Sequence, residues 1–295
     1  MPSNYVIFSD STCDLTREER IKFGIWPEVC ELIATYDDKP IDISDADEFY
    51  RHLKDGDYRP GLLKTAAPSF DNISRILADI IEKTSEDTKI VYAGISPKMS
   101  SGSVNIVNMA MDYYRKKYPE RDFIIVDTQC ISNGLGTYLQ YLAKYDGDDI
   151  EEYGYELGKH IVHLFTVSNL NYSAHSGRYN CIEQFKMGIA TGLEISPWMY
   201  FPSDGKLSCK RSYRGDMILH AWADYYVENV ADDNRFIRIG YGGEEARKRA
   251  EKFINILVKK GVSRDQIQLA YVSPVVGAHT GETVLSFFFM QKKER

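Results

Sequence analysis

Short apolar runs alternate with helical stretches along the first half of the chain. Tyr5 to Phe8, Leu32 to Tyr36, Ile90 to Ala93 and Phe123 to Val126 are brief and rich in Ile, Val and aromatic residues. That is the pattern of strands buried on both faces of a parallel sheet. Between them, Ile73, Ile76, Leu77, Ile80 and Ile81 share one face of a helix opened by Pro68-Ser69. Val104, Val107, Met111 and Tyr114 do the same between about Ser103 and Tyr118. The alternation predicts an N-terminal three-layer α/β/α domain with a parallel sheet.

Around Gly147 the chain turns polar and acidic. A helix then leads into His163-Leu164-Phe165-Thr166-Val167, and the pattern changes. Strands are predicted near Leu193 to Phe201 and Lys206 to Cys209, joined by the turn Ser203-Asp204-Gly205. A helix follows over about Asp216 to Glu228, then a strand over Phe236 to Gly240. A second helix, Glu244 to Lys260, keeps Ala246, Ala250, Phe253, Ile254 and Leu257 on one face. The last two strands, Gln268 to Val272 and Val284 to Met290, flank a turn carrying His279 and Thr280. This half reads as a two-layer α/β domain with a mixed sheet. The expected domains are 1–163 and 164–295.

Composition narrows the picture. The chain has 295 residues, 43% of them apolar, which suffices for full cores. Its net charge of −7 argues against a general nucleic-acid binder, which needs a basic face to neutralise phosphates. The five cysteines at 13, 30, 130, 181 and 209 show no Cys-x-x-Cys spacing. The first residues carry no basic leader pattern, and no apolar run is long enough to span a bilayer. The expectation is a cytoplasmic, reduced protein without integral membrane association.

In parallel α/β sheets, ligands bind beyond the carboxyl ends of the strands. The loops there are dense in small hydroxyl residues: Ser9 to Asp14, Gly94 to Ser103 and Asp127 to Gly134, with Thr65 to Ser69 before a helix. Each hydroxyl can be a helix cap. Several loops converging on one edge can instead form an anion site. No phosphate-binding glycine-lysine loop or dinucleotide glycine spacing is present, and Lys98 is the only cation in these loops. Neutral hydroxyls with one histidine suit a single small anion such as a carboxylate.

Other constellations are weaker. His160 and His163 are spaced three apart on an expected helix, but no acidic ligand joins them, so no metal is expected. Ser96, His279 and Asp10 could form a triad in any chain order. A serine-dependent hydrolase or acyltransferase using Ser96 and His279 is therefore the alternative. Gly94-Ile95-Ser96-Pro97-Lys98 lacks the second glycine of a nucleophile elbow. The tyrosine-rich stretches fit amphipathic helix faces better than a stacking platform for bases.

Seven segments in order carry a more specific signal. They are Ser9-Asp10-Ser11-Thr12-Cys13-Asp14-Leu15, Thr65-Ala66-Ala67-Pro68-Ser69, Gly94-Ile95-Ser96 with Ser101-Gly102, and Val126-Asp127-Thr128 with Ser132-x-Gly134-x-Gly136. Ser176-Gly177-Arg178, Asp204-Gly205-Lys206 and Pro274 to Gly281 follow. Together they resemble the DegV family of bacterial fatty-acid-binding proteins over nearly the whole chain. The resemblance implies a long-chain fatty acid between two domains, with no other cofactor and no catalysis by the chain itself. It assigns the carboxylate contacts to Thr65, Ser96 and His279. It places Arg178, Thr280 and Ser132 in the head-group region or at a partner-docking surface. Some members present the acid to a separate fatty acid kinase that makes the acyl phosphate. This chain departs from the family pattern at Ala66-Ala67, Pro97, Ser176 and Glu282-Thr283.

Overall fold

The computed structural model describes residues 4–175, 195–202, 207–231 and 236–294. Arg178, Cys181 and the Asp204-Gly205-Lys206 turn lie outside the described residues. The chain begins with Tyr5–Asp10 (β1), Arg17–Phe23 (α1), Ile25–Cys30 (β2), Ile33–Tyr36 (β3), Lys39–Pro40 (β4), Ala46–Asp55 (α2) and Leu63–Ala66 (β5). Phe70–Lys83 (α3), Lys89–Tyr92 (β6), Ser101–Lys117 (α4), Phe123–Ile125 (β7), Ser132–Leu142 (α5) and Ile150–His160 (α6) follow. Next are Ile161–Thr166 (β8), Asn171–His175 (α7), Ile195–Tyr200 (β9), Ser208–Arg214 (β10) and Met217–Asn229 (α8). Ile237–Tyr241 (β11), Glu244–Lys259 (α9), Ile267–Tyr271 (β12), Pro274–Thr280 (α10) and Leu285–Met290 (β13) complete the series.

Two compact units result. One comprises Met1–Ile33 and Thr65–Lys159, the other Ala34–Lys64 and His160–Arg295. The main division falls between Lys159 and His160, compared with the expected 163. The segment Ala34–Lys64 counts with the second unit, whereas periodicity had grouped it with the first.

The first unit holds a four-stranded sheet of order β2-β1-β6-β7, parallel throughout. Ile73, Ile76, Leu77 and Ile80 of α3 and Val107, Ala110 and Met111 of α4 pack on Phe8, Ile90, Tyr92 and Phe123 of the strands. Strand side chains alternate in direction, so Ile7 and Val91 point the other way, and they are equally buried. On that side Gly154 of α6 lies against Val126 and against Tyr138 and Leu142 of α5. Both faces are covered, which is the three-layer arrangement. One strand differs from expectation: Leu32 to Tyr36 is not in this sheet. Its place is taken by Ile25–Cys30, whose apolar run is interrupted by Pro27 and Glu28. Proline is tolerated there because β2 is the edge strand of the described sheet.

The second unit is built on a mixed sheet of order β10-β9-β8-β13-β11-β12. Strands β11 and β12 run parallel, and the other neighbours are antiparallel. Ile218, Leu219 and Trp222 of α8 and Ala250, Phe253 and Leu257 of α9 cover one face of it, against Leu164, Ile239, Phe287 and Phe289. A smaller sheet has the order β4-β3-β5. His160 ends α6 while His163 lies inside β8, so the two histidines do not share a helix face. Cys209 is disulfide-bonded, which corrects the expectation of fully reduced thiols. Cys13, Cys30 and Cys130 are buried. No helix among the described residues is long and apolar enough to cross a membrane.

Candidate functional site

The carboxyl edge of the parallel sheet is laced together by the loops that leave it. Asp10, the last residue of β1, is fully buried. Its Oδ1 accepts from the Thr12 amide at 2.9 Å and the Thr12 hydroxyl at 2.5 Å. Its Oδ2 accepts from the Tyr92 hydroxyl at 2.7 Å and the Ile95 amide at 2.8 Å. Thr128 Oγ1 donates to the Gly94 carbonyl at 2.7 Å and accepts from the Cys130 amide at 3.1 Å. The Ser96 amide donates to the Cys130 carbonyl at 2.9 Å. Ser9 Oγ donates to the Ala93 carbonyl.

Glycine at position 94 is obligatory in this packing. A Cβ there would lie 2.0 Å from Tyr92 Oη and 2.3 Å from Asp10 Oδ2. Asp14, Gln129 and Ser132 hold left-handed backbone, with φ of 54°, 53° and 54°. Such conformations cost about 1 kcal/mol or more each and gather where surroundings enforce them.

Within this edge, Ser96 is fully buried and its Oγ has no hydrogen-bond partner among the described residues. A buried hydroxyl left unpaired carries a desolvation cost of about 1–3 kcal/mol. Hydroxyls of the neighbouring loops are engaged. Ser132 Oγ donates to Asp14 Oδ2 at 2.6 Å, and Asn133 Nδ2 adds a second bond to that oxygen at 2.9 Å. Ser69 caps α3 by accepting from the Asn72 amide, the simple capping role open to each hydroxyl of these loops. Thr65 is half-buried near the end of β5. Two residues on, Ala67 approaches the start of α4, where a Cβ on Gly102 would meet its Cβ at 4.0 Å.

The second unit presents His279 on a short helix, α10, where periodicity predicts only a turn. Pro274 at the first helical turn presets the backbone for a helix start, and Gly281 terminates it with φ of 81°. The helix is held by the segment Ala34–Lys64. Tyr50 of α2 donates to the Val272 carbonyl at 2.8 Å, and its ring covers Gly277. Tyr172 closes over Gly281. Phe49, Tyr50, Leu53, Leu63, Tyr172 and Ala278 form one buried cluster beneath it. His279 is half-buried. Thr280 Oγ1 donates to the Val276 carbonyl at 3.2 Å. Glu282 Oε1 accepts from Asn169 Nδ2 at 3.3 Å. Burial first, and the Glu282 charge second, push the Tyr172 hydroxyl up to about 12.

Asp10 also settles the triad alternative on its acidic side. Both carboxylate oxygens already carry two donors each, so Asp10 does not orient an imidazole. Among the described residues no group of three or more His, Cys, Asp or Glu side chains could hold a metal ion. Periodicity identified the loops but not Tyr92 or Tyr50 as the groups that brace them. An aromatic ending in a hydroxyl at a buried strand end, as Tyr92 does, is the signal that was available.

Cys13 lies beside this edge and is fully buried, which pushes its thiol up to about 12. Iodoacetamide at pH 8 should leave it unmodified in the folded protein and modify it after urea unfolding. An unfolded thiol loses its proton near pH 8.5. The folded value is raised, so this contribution to stability is complete below that pH and is lost as pH rises toward 12. The hydroxyl of Tyr92, also raised chiefly by burial, acts in the same sense. The urea midpoint should hold from pH 7 to about 8.5 and fall between about 9 and 11. A midpoint that rises over that interval would contradict the assignment.

Fold and edge together define the class: a two-unit α/β protein whose parallel sheet offers hydroxyls, not a phosphate loop, at its carboxyl edge. The family model described as "Uncharacterised protein, DegV family" matches residues 4–292. This chain belongs to the DegV family. A DegV domain-containing protein of Clostridium perfringens is 26% identical over 303 residues, covering 97% of each chain. A DegV family protein from Eubacterium eligens, solved loaded with heptadecanoic acid, superposes with a TM-score of 0.78 at 17% identity. It covers 98% of this chain and 100% of its own. A stearic acid-binding protein from Eubacterium ventriosum gives a TM-score of 0.77 at 21% identity, with 98% of both chains covered.

Proposed function

We propose that this protein holds one long-chain fatty acid as a ligand and does not transform it. In this reading the carboxylate is hydrogen-bonded by Ser96 and Thr65 of the first unit and by His279 of the second. The alkyl chain lies in apolar surroundings. Arg178, Thr280 and Ser132 belong to the head-group region or to a surface that presents the acid to a fatty acid kinase. Ser132 and Thr280 already donate to Asp14 Oδ2 and the Val276 carbonyl, so in this reading they border the head group without donating to it.

The observation that carries the proposal is the buried Ser96 Oγ, without a partner among the described residues and aligned by three consecutive backbone anchors on a sheet edge that lacks a phosphate-binding loop. A DegV family protein solved with heptadecanoic acid and a stearic acid-binding protein, both of the same fold, support it. The physics is consistent. Each buried CH₂ contributes about 0.8 kcal/mol before association costs, so the tail supplies most of the affinity. The head must then be hydrogen-bonded, since an unpaired buried charge is expensive.

Protein purified from cells should yield about one equivalent of fatty acid by mass spectrometry after solvent extraction. Ser96→Ala and His279→Ala should each lower retention by about tenfold, the loss of one charge-assisted hydrogen bond. Protein that arrives without a fatty acid and ignores added stearate would overturn the reading. Labelling of Ser96 by a fluorophosphonate would favour the hydrolase alternative instead.

A further inference from the structure

We propose that Asp10 is the positioning residue for Ser96: its buried carboxylate sets the direction in which the Ser96 hydroxyl donates to the ligand's head. This rests on the reading of Ser96 as a head-group contact. The backbone from Gly94 to Ser96 is held at consecutive points. The Gly94 carbonyl is bound by Thr128 Oγ1, the Ile95 amide by Asp10 Oδ2 and the Ser96 amide by the Cys130 carbonyl. The Ser96 carbonyl accepts from the amides of Met99 at 2.9 Å and Ser100 at 3.0 Å. The Ser96 Oγ is buried and has no hydrogen-bond partner among the described residues.

Among these anchors Asp10 is the only ionisable one, and it faces donors alone. The Thr12 amide and hydroxyl, the Tyr92 hydroxyl and the Ile95 amide all point at it. A group with four acceptor sites and no proton fits there. An asparagine of the same shape would set an NH₂ against the Ile95 amide and the Tyr92 hydroxyl. The loop would have to shift, and Ser96 Oγ with it. Gly94 leaves that shift little room, because the Asp10–Tyr92 pair already fills the space where its Cβ would stand.

The test is a double-mutant cycle on fatty acid affinity in delipidated protein: wild type, Asp10→Asn, Ser96→Ala and the pair, titrated with stearate. Asp10→Asn should bind about tenfold more weakly than wild type. In the Ser96→Ala background the same change should cost no more than about twofold, because there is no hydroxyl left to aim. A residue that only holds the fold together would weaken both backgrounds equally, giving about a hundredfold loss in the pair. That result, or an Asp10→Asn variant that binds like wild type, overturns the proposal. Wild-type affinity in Ser96→Ala overturns it while leaving fatty acid binding intact. A wild type that binds no fatty acid overturns both. Should Asp10→Asn fail to fold, Tyr92→Phe removes one donor and keeps the charge. It should weaken binding about threefold with Ser96 present and leave it unchanged in the Ser96→Ala background. Equal losses in the two backgrounds would again overturn the proposal.

Discussion

Gly94→Ala should lower the stability of the protein by about 3 kcal/mol and remove fatty acid retention along with it. The new Cβ would lie 2.0 Å from Tyr92 Oη and 2.3 Å from both Tyr92 Cζ and Asp10 Oδ2. Neither neighbour can yield cheaply. Tyr92 is buried and packs on Phe8 with ring centroids 5.3 Å apart. Asp10 is buried and held by four donors, so moving it strands several polar groups at once. Urea unfolding with an unchanged m-value measures the loss, and solvent extraction measures the retained acid. Adding Tyr92→Phe should recover part of the stability, since it deletes the atom at 2.0 Å. A Gly94→Ala protein within about 0.5 kcal/mol of wild type would contradict the geometry of this edge.

Trp222→Ala should cost about 4 kcal/mol, the range for deleting a large aromatic from a packed core. Trp222 is fully buried in the second unit. Its ring stacks on Phe287 with centroids 6.1 Å apart, and meets Phe253 at 5.8 Å and Trp198 at 6.5 Å. The cavity left behind would open between α8 and the mixed sheet, among aromatic rings that offer water little to bond to. Trp222→Phe should behave differently. The indole Nε1 is buried without a hydrogen-bond partner among the described residues, so phenylalanine loses volume but also sheds an unsatisfied donor. Its cost should be about 1 kcal/mol. Equal costs for the alanine and phenylalanine variants, measured by urea unfolding, would show that this site is not packed as described.

The elements that periodicity located are those whose apolar residues fall on one face. Helix α3 is the clearest case. Ile73, Ile76, Leu77 and Ile80 stand at helical spacing, and the cap Ser69 marks the start. Helix α9 is legible for the same reason. Strand β2 was not, because Pro27 and Glu28 break its apolar run at an edge where neither is penalised. Helix α10 has only the sequence signals of a turn. It is seven residues long with two valines and a glycine, and its stability comes from Tyr50 and Tyr172 rather than from its own propensity.

The candidate site divides in the same way. Ser96 could be singled out from a loop after a buried strand, since strand ends in parallel sheets are where ligands meet the fold. The hub that braces it could not. Asp10 bonds to Tyr92 and Ile95 from 82 and 85 residues away. Nothing in local spacing distinguishes such a carboxylate from a solvated one.

Local order was thus written in the chain: which stretches are strands, which faces are apolar, and which loops carry hydroxyls. These follow from side-chain periodicity and capping, which act over a few residues. Only the folded protein decided that Asp10 would be saturated, that Ser96 would be buried with its hydroxyl unspent, and that Ala34–Lys64 would brace the helix bearing His279. Those outcomes depend on groups meeting across long stretches of chain. There, burial turns the choice of partner into kilocalories.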